Sequence, residues 1–213
     1  MYTELVKSLT NQNVTLVAVS KTRPDDQVMA LYDQGQRIFG ENRVSELVRK
    51  NEYFPADVSW HMIGHLQSKK VKTVLPLVDM IHSVDSVKLY DIIVREAEKI
   101  NKPISVLLQY KIGQEEAKYG LDQAALESII EKSLSEPNIV QIKGVMGMAS
   151  FVDDEAQVRS EFAELKSIFD LCKSKYYSDD DNFSEISMGM SGDYKLAIEE
   201  GSTMVRIGSL LFS

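Results

Sequence analysis

Short apolar or alternating runs recur along the chain at residues 15–20, 37–40, 59–64, 80–84, 104–110, 140–148, 185–188 and 204–207. Each reads as a strand. Between them lie longer segments with helical spacing: Leu89, Ile93, Ala97 and Ile100, then Leu126, Ile129, Ile130 and Leu134, then Phe162, Leu165 and Phe169. Strands that alternate with helices run parallel and are joined by crossovers. Eight of them within 213 residues suit a compact α/β fold, a closed (β/α)8 TIM-type barrel, better than an open doubly wound sheet. Punctuation agrees: Pro24-Asp25-Asp26, Asp85-Ser86 and Asp153-Asp154-Glu155 open helices, while Gly35 and Gly201 follow helix ends.

Composition narrows the class. A hydrophobic content of 44% supports one sizeable core, and no Pro/Gly/Ser-rich stretch divides the chain, so residues 1–213 are expected to form a single domain. Lys plus Arg number 24 against 32 Asp plus Glu, for a net charge of -8, which argues against nucleic acid as a partner. Lys69, Lys70 and Lys72 form the densest basic cluster and read as a solvated helix face. The lone cysteine, Cys172, sits in an amphipathic helical pattern and suits a reducing, cytoplasmic compartment. The start of the chain has no signal-peptide pattern, and no apolar run is long enough for a membrane span.

In barrels of this type function gathers where strands end and βα loops begin. Lys21 ends the first strand, Glu41-Asn42-Arg43 follow the second, His65 the third, Ser83 lies near the end of the fourth, and Ser187 and Arg206 lie in the seventh and eighth. A lysine at the end of a buried strand is expected to be half desolvated, which favours a neutral amine able to condense with an aldehyde. Gly189, Ser191 and Gly192 with Gly208 and Ser209 form two glycine loops, matching the phosphate site such barrels build after strands seven and eight, with amides at the start of a helix near Asp193. Amine and phosphate site together suggest pyridoxal 5'-phosphate (PLP). His61 and His65 stand four apart, but on a strand and without a zincin glutamate, so a metal site is not expected. His82 reads as a satisfied strand residue. Nucleophile-elbow, Walker and dinucleotide motifs are absent.

Ala18-Val19-Ser20-Lys21-Thr22, Phe39-Gly40-Glu41-Asn42, Trp60-His61-Met62-Ile63-Gly64-His65-Leu66-Gln67, Ser187-Met188-Gly189-Met190-Ser191 and the ending from Ala197 to Gly208 resemble the pyridoxal-phosphate homeostasis proteins. These are fold-type III PLP-binding barrels similar to the N-terminal barrel of alanine racemases. The resemblance implies that Lys21 holds PLP as a Schiff base and that the region of Met188, Ser191, Gly192, Gly208 and Ser209 binds its phosphate. Asn42 would sit near the ring oxygen and Arg206 against the pyridine nitrogen, with His65 and Ser83 as further cofactor contacts. A permanently charged arginine there weakens the ring as an electron sink. The sequence departs from the family at Ser68-Lys69-Lys70, at Arg43, and at Ala117 within the segment 114–120.

The expectation is a non-catalytic PLP-binding protein of vitamin B6 homeostasis, with no catalytic residue assigned, acting as a cytoplasmic monomer that buffers PLP or delivers it to PLP-dependent apoenzymes. The alternatives are a racemase-like PLP enzyme acting on amino acids and a Schiff-base aldolase acting on a phosphorylated sugar.

Overall fold

The computed structural model describes residues 2–113 and 119–212. Strands β1 (Thr15–Val19), β2 (Ile38–Glu41), β3 (Ser59–Met62), β4 (Met80–Val84), β5 (Ile104–Gln109), β6 (Val140–Met146), β7 (Glu185–Ser187) and β8 (Met204–Ile207) form a closed barrel in chain order. All pairs are parallel, and β8 closes onto β1 with Val17 opposite Arg206. Helices α1 (Tyr2–Thr10), α2 (Asp25–Asp33), α3 (Val44–Tyr53), α4 (Val71–Val74), α5 (Val87–Ile100), α6 (Gln123–Ser135), α7 (Glu155–Tyr176) and α8 (Tyr194–Glu199) surround it. The (β/α)8 expectation holds. Strand ends moved: β3, β6 and β7 stop before Gly64, Met148 and Met188, because those residues already belong to the βα loops.

The core lies between barrel and helices. On α5 the buried side chains Leu89, Tyr90, Ile93 and Ala97 recur at helical spacing and face the strands. Ser86 caps this helix, its hydroxyl accepting from Leu89 N–H at 3.3 Å, and Asn101 ends it in the left-handed region. Asp154 caps α7 in the same way. Leu9 of α1 packs with Leu16, Val205 and Ile207, covering the outer face of β1 and β8. No described helix is long and apolar enough to cross a membrane.

Candidate functional site

The βα loops surround a cavity of about 670 Å³ lined by Lys21, Asn42, His65, Ser191, Gly192, Arg206, Gly208 and Ser209, among others. Eight sequence-expected residues are therefore brought together. Ser83 and Met188 are not among the lining residues. Both are fully buried; Ser83 donates to the Gly64 carbonyl at 2.6 Å and so shapes the β3 loop from below. Ser187, too, is buried beneath the cavity.

Lys21 is exposed rather than half desolvated, because β1 ends at Val19 and the last buried residue is Ser20. Its turn is held from behind. Ser20 Oγ donates to Glu41 Oε1 at 2.6 Å, and the Lys50 ammonium donates to both the Ser20 carbonyl (2.6 Å) and Glu41 Oε1 (2.5 Å). Glu41 thus turns outward to α3 and leaves only Asn42 to the cavity. Thr22 follows Lys21 at φ 60°, a left-handed conformation costly for a β-branched residue and a mark of functional sites. Gly64 lets the β3 loop lie on Asn42, since a Cβ there would sit 2.4 Å from the Asn42 carbonyl oxygen. His65 pairs through Nδ1 with Asp85 Oδ2 at 2.6 Å and stacks on Tyr119 at 4.1 Å between ring centroids.

Arg206 is the buried cation of the site. Nη1 donates to Ser187 O and Oγ, both at 2.7 Å, and Nη2 to Gly147 O at 3.0 Å. Desolvation pushes its pKa down to about 10, which still leaves a cation at neutral pH. At the phosphate loops, Gly189 adopts φ +92°, and a Cβ there would meet Ala197 Cβ at 2.6 Å. Ser191 Oγ accepts from Gly208 N–H at 3.1 Å, tying the two loops together. The expected helix-start amides are not what the cradle offers: α8 has six residues, and Asp193 and Tyr194 N–H both turn back to the Met190 carbonyl. Instead, among the described residues, the N–H groups of Ser191, Gly192 and Ser209 have no protein acceptor. Free loop amides of this kind suit an anion, so these residues fit a phosphate.

Gln109, Met148, Ser150 and Asp193 line the cavity without having been expected, as does Met190 of the glycine-loop segment. Their position at or just past the ends of β5, β6 and β7 was the available signal. Ser150 is fixed by Glu161 of α7, whose carboxylate accepts from its N–H and hydroxyl at 2.6 and 2.8 Å. Ala117 lies outside the described residues. His61 and His82 are buried inside the barrel and face one another.

A closed parallel barrel with a lysine after β1, a buried arginine on β8 and glycine loops after β7 and β8 defines the class of alanine racemase N-terminal barrels. The family described as "Alanine racemase, N-terminal domain" matches residues 3–213. Alanine racemase of Bartonella henselae shares that fold, with a TM-score of 0.69 at 17% identity over 97% of this chain and 56% of its own. Within this class, the chain belongs to the pyridoxal phosphate homeostasis protein family. It is 38% identical to the Aquifex aeolicus pyridoxal phosphate homeostasis protein over 92% of this chain and 85% of that one. The structure of PipY from Synechococcus elongatus PCC7942 with PLP bound superposes with a TM-score of 0.87 at 35% identity, covering 99% of both chains.

Proposed function

We propose that this chain binds PLP in the cavity at the loop end of the barrel and serves PLP homeostasis, holding the cofactor without strong catalysis of its own. The observation that supports this most is the coincidence, in one cavity, of the Lys21 amine, the buried Arg206 cation and the unpartnered amides of Ser191, Gly192 and Ser209. When bound, the cofactor supplies an aldehyde and an aromatic ring. Lys21 Nζ would hold the cofactor by condensing with the aldehyde, with loss of water, and the loop amides would hold the phosphate. Asn42 and Arg206, which line the same cavity, would orient the ring, Asn42 towards its oxygen and Arg206 towards its nitrogen. Because Arg206 has only donors, it stabilises a ring nitrogen that carries no proton, and such a ring withdraws electrons weakly. This favours holding over carbanion chemistry. The reading extends to a cytoplasmic monomer that buffers PLP or passes it to PLP-dependent apoenzymes.

The test is a visible absorbance spectrum of the purified protein incubated with PLP, before and after borohydride reduction, with peptide mass mapping. A reducible chromophore fixed to Lys21 and lost in Lys21→Ala is expected. No chromophore after removal of excess PLP would refute the reading. Exchange of amino-acid α-protons in D2O at enzymatic rates would refute its non-catalytic part and return the racemase-like alternative.

A further inference from the structure

Beneath the cavity, four strands each place one polar side chain in a continuous buried chain. His61 on β3 and His82 on β4 approach Nδ1 to Nε2 at 2.9 Å. His82 Nδ1 lies 3.0 Å from Ser187 Oγ on β7, a contact between residues 105 apart in sequence. Ser187 Oγ in turn accepts from Arg206 Nη1 on β8 at 2.7 Å. None of the four is more than 4% exposed. Barrel interiors are normally layers of branched apolar residues, and a buried polar layer costs stability unless each group is satisfied.

The donors and acceptors can be assigned from one end. A guanidinium has only N–H donors, so Ser187 Oγ is the acceptor at Arg206. Among the described residues its other partner is His82, which receives the hydroxyl proton on Nδ1. His82 then carries its own proton on Nε2 and donates to His61 Nδ1. Burial keeps both rings neutral, lowering His61 to about 4 and holding His82 well below the usual histidine value, as this arrangement requires. Every bond donates away from the cavity.

We propose that Ser187, His82 and His61 form a one-way hydrogen-bond relay whose task is to position Arg206 as a donor-only floor, so that the cavity selects a ring nitrogen that is a bare acceptor. Ser187 and His82 are positioning residues for ligand choice. The selectivity half rests on the PLP reading above; the relay half does not.

Nitrogen-15 NMR of the protein without added ligand tests the relay directly, and three histidines make assignment simple. His82 should show a protonated Nε2 and a bare Nδ1, and His61 a bare Nδ1. A proton on His82 Nδ1 would overturn the relay. Selectivity is read from the dissociation constants of PLP and N-methylpyridoxal 5'-phosphate, whose ring nitrogen can accept nothing. The parent protein should prefer PLP, and Ser187→Ala and His82→Phe should each reduce that preference roughly 10-fold, as loss of one charge-assisted hydrogen bond implies. Circular dichroism checks that the variants fold. An unchanged preference in folded variants, or equal binding of both ligands by the parent, would overturn the positioning role. Failure of the parent to bind PLP at all would instead refute the functional reading, and the ring-nitrogen measurement would still decide the relay. Should a variant fail to fold, that same measurement on the parent decides.

Discussion

Lys50→Met tests how the Lys21 turn is held. Lys50 and Glu41 are both 0% exposed as side chains and 2.5 Å apart, and Lys50 also donates to the Ser20 carbonyl. Among the described residues Glu41 Oε2 is buried without a partner, and Lys50 and the Ser20 hydroxyl alone compensate this carboxylate. Removing the ammonium leaves a buried charge with one neutral donor, which costs about 3–5 kcal/mol. In a chain of this size that lowers Tm by about 10 °C. Replacing both partners, Glu41→Met with Lys50→Met, removes the buried charge as well. Only the Ser20 hydroxyl and carbonyl then lose partners, and the double variant should stand within about 2–3 kcal/mol of the parent. Urea unfolding of parent, both single variants and the double variant gives the coupling energy. A Lys50→Met cost below about 1 kcal/mol would refute the argument. So would a double variant as unstable as the two singles summed. The same variants carry a local consequence, since Ser20 precedes Lys21: covalent loading of PLP should fall with Lys50→Met and recover in part in the double variant.

Two further outcomes follow from burial. His61, held down to about 4 by desolvation, refuses a proton that the unfolded chain takes up near pH 6.5. Its contribution is therefore fully present above about pH 6.5, lost as pH falls towards 4, and amounts to about 3 kcal/mol; His82 acts in the same direction. Urea unfolding at pH 7 and pH 5 should show the loss, which His61→Asn should reduce, and equal stability at both pH values would contradict it. Cys172, buried and with its thiol raised to about 11 by desolvation, should resist a disulfide-exchange reagent at pH 8 in the native protein and react as one thiol in urea. Prompt native reaction would show that the face of α7 carrying Cys172 is not packed into the core.

The barrel and the rim of the cavity were legible because both repeat a simple rule. Apolar runs alternating with helical spacing give parallel strands, and the first polar or glycine residue after each run lies at the loop end. Lys21, His65 and Gly208 were found in this way, and Asn42 and Gly192 lie a little further along the same loops. The same rule failed by one or two residues where a strand stopped early: Met188 reads as part of a loop site and is buried, and Met148 reads as strand and lines the cavity. Ser83 failed for another reason. A hydroxyl near a strand end looks the same in sequence whether it meets a ligand or, as here, the Gly64 carbonyl.

What sequence could not carry is pairing across the barrel. Lys50 reads as an ordinary charge on a helix, yet it is fully buried against Glu41, because α3 packs on β2 with that pair between them. His61 and His82 read as two separate polar residues in apolar strands; no periodicity says that β4 faces β7 across a closed interior. Closure does, since eight strands in chain order bring His82 within hydrogen-bond distance of Ser187 and so of Arg206. A cation buried this deeply is tolerable only when its donors are taken up, and its partners come from β7 and from the loop after β6. The buried cation at the floor of the cavity is thus held in place by the topology, and its setting becomes visible only once the barrel is closed.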